Sequence, residues 1–123
     1  MTRNREAGFT LMSVILAVVI LSVGLLALGR SQGMLIRAQA TSSERSVALG
    51  IARNYIEEVR SRASDPAAEP AVTVDETGAL AAAGAYSRSL EVADLGNNLF
   101  RTTCSVTYPR GPRPIEIVTL IYR

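Results

Sequence analysis

Residues 9–28 read FTLMSVILAVVILSVGLLAL, and 16 of these 20 side chains are apolar. No charged residue occurs between Ala7 and Gly29. Twenty helical residues span about 30 Å, the thickness of the hydrocarbon core of a bilayer. A cleaved secretory signal has a shorter apolar region closed by a small-x-small site, whereas Arg30 follows here. The stretch therefore predicts a retained transmembrane helix. The alternative, a buried core helix, requires a larger surrounding domain than 123 residues provide.

The charges outside this stretch are nearly balanced, with 13 basic and 11 acidic residues and a net charge of +2. All the basic residues are arginine, and they are scattered along the chain. Nucleic-acid binding therefore has no electrostatic support. Arginines stand on both sides of the apolar stretch, so the positive-inside rule does not settle its orientation.

The composition argues against an enzyme. Histidine is absent, so no Ser-His or Cys-His nucleophile and no histidine metal ligand can be formed. A single cysteine, Cys104, excludes an intramolecular disulfide and a cysteine zinc site. The carboxylate pairs Glu57-Glu58 and Asp75-Glu76 do not have the spacing of an EF-hand calcium loop. They are also poor candidates for acid–base catalysis, because sequence neighbours on a helix do not face each other. We therefore expect no catalytic residue, no metal and no cofactor.

The boundary before the apolar stretch carries a motif. A short charged leader, MTRNREAG, ends at Gly8, and Phe9-Thr10-Leu11 opens the apolar helix. This boundary resembles the class III signal of type IV pilins and type II secretion pseudopilins. The resemblance implies that a membrane-embedded prepilin peptidase cuts after Gly8 on the cytoplasmic side. It also implies that Phe9 becomes the N-methylated mature terminus and that the remainder faces the periplasm or an equivalent space.

A helical pattern continues beyond the membrane stretch. Apolar side chains recur with a period near 3.6 and form one stripe that predicts packing against a small head; the stripe comprises Val47, Ala48, Ile51, Ala52, Tyr55, Ile56 and Val59. Glu58 and Arg62 stand at i,i+4, as do Arg53 and Glu57, which favours helical ion pairs. The first proline is Pro66, so we expect one helix from about residue 9 to about residue 62.

Residues 48–60, ALGIARNYIEEVR, resemble a segment of the I-type minor pseudopilin of type II secretion, often of the form AL-x-x-A-x-N-x-x-x-E-x-R. The V-type minor pilin of type IV pili has a related segment, and its stem resembles VILSVGLLALG. The likeness covers residues 8–60 well and the remainder only in general plan. It leaves open the choice between a pilus and a secretion pseudopilus.

Three glycines, Gly24, Gly29 and Gly33, lie in or beside the membrane stretch. Each lowers helix stability by about 0.5–1 kcal/mol relative to alanine. One interpretation is local weakness of the stem where it leaves the membrane. The other is close approach of a second helix at Gly29-x-x-x-Gly33.

The residues after the helix predict a head with three or four strands, and hence an α+β fold built around an antiparallel sheet. Strands are expected at residues 71–75, 86–92, 99–108 and 115–122, with a turn at 94–98 and a loop at 109–114. Cys104 falls on the expected core face of its strand, which favours a buried thiol over a reactive one. The near-continuous apolar strand 115–122 suggests burial on both faces or an assembly contact.

One position departs from the family pattern. Relatives usually carry a glutamate four residues after the mature terminus, where it pairs with the amino group of a neighbouring subunit; here that position is Ser13. The K-type pseudopilin, which lies at the filament tip, also lacks this acid. The resemblance therefore suggests a tip or near-tip position, with loss of the residue in this lineage as the alternative.

These observations predict four parts: a cleaved leader (1–8), a transmembrane stem (9–29), an amphipathic continuation (30–62) and a β-sheet head (63–123). The resemblance implies a minor structural subunit of a type IV pilus or type II secretion pseudopilus that helps to initiate or cap the filament. Its partners would be prepilin peptidase and other pilins or pseudopilins, contacted through stems and heads. It would sit in the inner membrane with the head in the periplasm. The alternative is a membrane-anchored adaptor or sensor that does not polymerise.

Overall fold

The computed structural model describes residues 10–123, which form a first unit ending at Ala38 and a second unit, Gln39–Arg123. One long helix is followed by four strands. The elements are α1 (Leu11–Ser61), β1 (Glu69–Val74), β2 (Tyr86–Asp94), β3 (Leu99–Thr107) and β4 (Ile115–Tyr122). The strands form one antiparallel sheet in the order β1-β2-β3-β4. The predicted α+β fold, a long N-terminal helix with an antiparallel sheet, is thus confirmed.

The core of the second unit lies between α1 and one face of the sheet. The helix contributes side chains spaced at its own period, and the strands contribute every second residue, because alternate strand residues point to the same face. The buried members are Ala48, Ile51, Ala52, Tyr55, Ile56 and Val59 from α1 and Val74, Tyr86, Leu90, Cys104, Val106 and Ile121 from the sheet. Thr102 is also fully buried on this face.

The turn between β2 and β3 follows the prediction from DLGNN. The Asp94 carboxylate accepts a hydrogen bond from the Gly96 amide at 2.8 Å, and the Leu95 amide donates to the Leu99 carbonyl at 2.9 Å. Gly96 has a φ of 81°, and Asn97 and Asn98 are also left-handed. Glycine and asparagine are the residues that adopt this conformation at least cost, so the local sequence determines this hairpin.

The segment between β1 and β2 folds back over β1, although no strand is predicted for its alanine-rich sequence. The Ala81 amide donates to the Thr73 carbonyl at 3.1 Å, and Leu80 forms an isolated bridge with Val74. At Gly84 a Cβ atom would collide with the Val74 carbonyl. This close approach explains the glycine there. β1 itself begins at Glu69, two residues earlier than expected, and ends at Val74.

Residues 115–122, which form β4, were expected either to be buried on both faces or to form an assembly contact, and the structure contradicts the first of these expectations. The inner residues of β4 are half-buried or buried, but the outer face is open: Val118 is 60% exposed, Leu120 55% and Tyr122 74%. The expectation of burial on both faces within this chain is wrong, because the described residues include no second layer over the outer face. The strand is also the last in the sheet, so one of its edges is unpaired.

Several arginine contacts link α1 to the remainder of the second unit, and two of them involve residues that lie just outside the strands. The Arg123 guanidinium donates to the carbonyls of Val59 (3.0 Å) and Arg60 (3.3 Å) in the last turn of α1. Helix-terminal carbonyls have no partner inside the helix, so a donor there stabilises the helix end. Nearer the start of the second unit, Arg110 reaches Glu44 through its backbone amide (3.2 Å) and its guanidinium (2.8 Å).

Candidate functional site

The predicted cleavage and methylation positions, Gly8 and Phe9, lie outside the described residues. The structure begins immediately after them at Thr10, which precedes the first helical residue, Leu11. The Thr10 carbonyl accepts hydrogen bonds from the amides of Ser13 (2.9 Å) and Val14 (3.3 Å). Helical hydrogen bonding therefore begins directly after the predicted mature terminus.

Ser13 takes part in the N-terminal cap of α1. Its amide lies 3.4 Å from Thr10 Oγ1, and the two hydroxyls are 2.7 Å apart. This arrangement is the first half of a capping box, in which the third helical position usually carries a glutamate or glutamine that returns the hydrogen bond. Ser13 brings a hydroxyl and no ionisable group to this position, so it cannot supply the carboxylate that the resemblance to pilins leads us to expect there.

The apolar half of α1 offers its side chains to surroundings outside the chain. Every residue from Thr10 to Gln39 is exposed, and Leu21 and Leu26 expose 63% and 72% of their surface. This helix is long and apolar enough to cross a membrane, and none of its most apolar 18-residue stretch is buried. The exposed leucines, isoleucines and valines occur on all sides, which suits a lipid environment or a bundle of stems.

The three stem glycines lie within α1, which is continuous through all of them. A Cβ atom at Gly24, Gly29 or Gly33 would meet nothing within 4 Å. Packing within the described part of the chain therefore does not require glycine at these positions. Both interpretations, close approach of another stem and local weakness, remain open to experiment.

The predicted head-packing stripe lies as follows. Ile51, Ala52, Tyr55, Ile56 and Val59 are buried, and Val47 is half-buried against the same core. Ala48 is fully buried as well. Of the two predicted helical ion pairs, Glu58–Arg62 is present at 2.9 Å, whereas Glu57 pairs with Arg60 at 3.0 Å instead of with Arg53.

A polar cluster at the end of α1 was not evident from the sequence. Arg88 of β2 stacks on the Tyr55 ring, 3.6 Å from its centroid, and the Tyr55 hydroxyl donates to the Glu69 carboxylate. Arg62 binds the other Glu69 oxygen at 3.2 Å. Burial, together with the hydrogen bond to Glu69, raises the pKa of Tyr55 to about 12. The Tyr55 hydroxyl is also the largest cause of the lowered pKa of Glu69.

This cluster performs a structural task, because its groups satisfy one another. A guanidinium over an aromatic face is attracted by the ring quadrupole, and this cation–π contact keeps the half-buried Arg88 in place. The signal in the sequence is absent because Tyr55 is separated from Glu69 by 14 positions and from Arg88 by 33, and these residues meet only when the helix lies on the sheet. No local pattern in the sequence identifies such a set.

The remaining candidates are occupied by structural roles. Cys104 is a free, fully buried thiol whose pKa is raised to about 11 by burial, so it stays protonated and shielded. Asp75 accepts hydrogen bonds from the Thr77 hydroxyl (2.6 Å) and the Ala79 amide (3.1 Å), and the Thr77 contact lowers the pKa of Asp75. Within residues 10–123 no group of three potential metal ligands occurs.

Comparison with known proteins supports the reading of the N-terminus. Residues 3–29 match the family model described as the prokaryotic N-terminal methylation motif. No curated protein and no solved structure matches the chain. The motif indicates a type IV pilin-like filament subunit, a structural protein rather than an enzyme. Together with the apolar helix it is consistent with anchoring in the inner membrane, and it implies processing by prepilin peptidase and assembly with other pilins.

Proposed function

We propose that this protein is a minor subunit of a type IV pilus or type II secretion pseudopilus that helps to initiate or cap the filament. The observation that carries the proposal is the methylation motif at residues 3–29, whose described part runs into a helix that is exposed at every residue from Leu11 to Ala38. An exposed apolar helix requires lipid or neighbouring helices around it. The motif is typical of filament subunits, whose stems lie first in a membrane and then among other stems.

In this proposal residues 1–8 are a leader that prepilin peptidase removes between Gly8 and Phe9, and Phe9 becomes N-methylated. Residues 9–29 span the inner membrane, residues 30–62 continue the helix, and residues 63–123 form the head in the periplasm. Other pilins or pseudopilins contact both stem and head. The segment 48–60 supports a minor subunit through its resemblance to I-type pseudopilins and V-type minor pilins.

Processing is tested by the intact mass of the membrane form purified from the native host. We expect a chain that begins at Phe9 and carries one added methyl group. The matched control is the same protein from a host without prepilin peptidase, which should retain the leader. A chain that still begins at Met1 or Thr2 in the presence of active peptidase would contradict the proposal and favour the non-polymerising adaptor or sensor.

The tip position follows from Ser13. In a terminal subunit no neighbour above offers an amino group, so a carboxylate at residue 13 would have no partner. Ser13→Glu would then place an unpaired carboxylate in the bilayer, at a cost of roughly 2.5–3.5 kcal/mol, or force its protonation.

The test is the copy number per filament, measured by quantitative immunolabelling of wild type and Ser13→Glu. We expect low copy number confined to the filament end, and no gain in incorporation along the shaft for Ser13→Glu. Ser13→Gln is the matched control, since it has similar size without the charge. Wild-type protein distributed evenly along the shaft would overturn the tip position and leave the filament assignment standing.

A further inference from the structure

The two edges of the sheet differ in how they are protected. At the β1 edge, Pro70 has no amide hydrogen, and the pairing is irregular between Glu69 and Val72. The same edge is covered further along, where the Ala81 amide donates to the Thr73 carbonyl. Proline, irregular pairing and a covering loop are the devices by which proteins prevent strand addition.

The β4 edge has none of these devices. Its sequence, IEIVTLIY, contains no proline and one charged residue, Glu116, and its pairing with β3 is regular over eight consecutive positions. The Arg123 amide donates to Asn98, one position beyond the Tyr122↔Leu99 pair. Hydrogen-bonded pairs alternate along an antiparallel ladder. The backbone groups of Glu116, Val118, Leu120 and Tyr122 therefore point away from the sheet.

The two sides of this edge offer an apolar outer surface and an inner groove that combines apolar and charged side chains. On the outer face, Val118, Leu120 and Tyr122 are exposed, while the adjacent outer positions of β3 are polar. On the inner side a groove of about 530 Å³ runs between α1 and β4; it is lined by Leu49, Arg53, Ile56, Glu57, Arg60, Ile117, Val118 and Thr119. A strand beside β4 would thus find apolar surface for one of its alternating sets of side chains and a groove with apolar and charged walls for the other.

The charged residues that line the groove favour an occupant with an acidic group. Two arginines and one glutamate line it, and the glutamate, Glu57, pairs with Arg60. Within residues 10–123 the structure shows no ion pair to Arg53, whose charge is left for an acidic group. A second copy of this chain fits poorly, because two-fold pairing of β4 with β4 would bring the same arginines together.

From these observations we infer that β4 is an acceptor edge to which an extended segment of a different protein adds as a fifth strand. The segment is apolar at alternate positions and carries an acidic side chain toward Arg53. Main-chain hydrogen bonds provide the affinity in such strand addition, and side-chain pockets provide the specificity. The inference goes beyond the proposed function and does not depend on it, because it concerns the sheet edge alone.

The test uses the full chain in detergent micelles and a capped eight-residue peptide of alternating valine and threonine with one central aspartate. Two further versions of the peptide are N-methylated on one or the other set of alternate amides. An added strand presents only every second amide to its neighbour, so one methylated version should lose binding and the other should keep it. Amide hydrogen exchange should slow at Val118 and Leu120. Equal effects of both methylated versions, or no binding by any, would overturn the inference.

Protein variants test the same edge from the other side. Val118→Pro removes an outward amide while it keeps every amide that donates to β3, and it should weaken peptide binding about three- to tenfold, the worth of one backbone hydrogen bond. Val118→Thr keeps that amide and is the matched control. Arg53→Glu leaves the sheet unchanged and should reverse the preference, so that a lysine version of the peptide binds better than the aspartate version. Unchanged preference in Arg53→Glu, or unchanged affinity in a folded Val118→Pro, would contradict the proposal.

Discussion

The described residues of the first unit (10–38) and the second unit (39–123) contain the same kinds of apolar side chain in opposite surroundings. Leu21 in the first is 63% exposed, whereas Leu90 in the second is 1% exposed. The second unit supplies its own sheet to cover the stripe on its helix. The described residues of the first unit supply nothing of the kind, so their apolar surface is left for lipid or other chains to cover. Burial in the second unit is thus a property of the fold, whereas the fold by itself buries none of the described residues of the first unit.

The sharpest test of this contrast is a pair of matched leucine-to-alanine substitutions, each made in the full chain and studied in detergent micelles. Leu90→Ala should lower the free energy of unfolding by about 2–5 kcal/mol, because it removes buried methyl groups and leaves a cavity. Leu21→Ala should change it by less than about 0.5 kcal/mol. Urea unfolding followed by tyrosine fluorescence measures both, since all four tyrosines lie in the second unit. Similar losses in the two variants would break the comparison.

An added charge should affect the first unit and not the second, which is the opposite of the result expected for alanine substitution. Leu21→Arg should reduce membrane insertion, at a cost of about 2.5–3.5 kcal/mol for arginine near the centre of a membrane helix. Ser46→Arg, at an exposed helical position of the second unit, should insert like wild type. The measurement is the fraction of protein resistant to carbonate extraction. Full insertion of Leu21→Arg would show that residues 9–28 do not lie in hydrocarbon.

Glycine substitutions distinguish the two regions on a smaller scale. Gly96→Ala should destabilise the second unit by about 1–2 kcal/mol, because the residue has a φ of 81°. Gly29→Ala should instead stabilise its helix by about 0.5–1 kcal/mol, since the added Cβ meets nothing within 4 Å. Urea unfolding reports the first effect, and amide exchange in residues 25–33 reports the second. A loss of helix stability in Gly29→Ala would argue against helical weakness at that glycine.

The smallest expected effect is a pH dependence confined to the second unit. The pKa of Glu69 is lowered by its hydrogen bond from Tyr55, so this carboxylate contributes stability above the unfolded value of about 4.3. That contribution is lost as the pH falls through the lowered folded value. Glu69→Gln should therefore cost below about 1 kcal/mol at pH 7, and the difference from wild type should vanish at low pH.

Urea unfolding at several pH values measures this difference. No acidic residue occurs between Leu11 and Ser43, so the amide protection factors in the apolar half of α1, which are corrected for the intrinsic pH dependence of exchange, should not change over the same acid range. A cost of Glu69→Gln that persists below pH 3 would show that it arises from packing rather than from the carboxylate charge.

Local sequence determined the elements themselves. Uninterrupted apolar character followed by a 3.6-residue stripe predicted α1. Period-two alternation predicted β2 and β3, the short run AVTVD predicted β1, and near-continuous apolar character after Pro114 predicted β4. All four strands lie within about two residues of their predicted bounds. The turn at 94–98 was predictable because aspartate, glycine and asparagine satisfy its hydrogen bonds and left-handed angles locally. The methylation motif could be recognised for the same reason, because its residues are neighbours in the sequence around Gly8 and Phe9.

Tertiary structure decided everything that depends on distant partners. Arg88 meets Tyr55, Arg123 meets the last turn of α1, and Arg110 meets Glu44 only because helix and sheet bring together residues far apart in sequence. The strand order likewise left β4 at an edge with an apolar outer face, although its sequence alone suited burial on both faces equally well. Periodicity reports which side chains share a face, but only the arrangement of the layers determines which faces are covered.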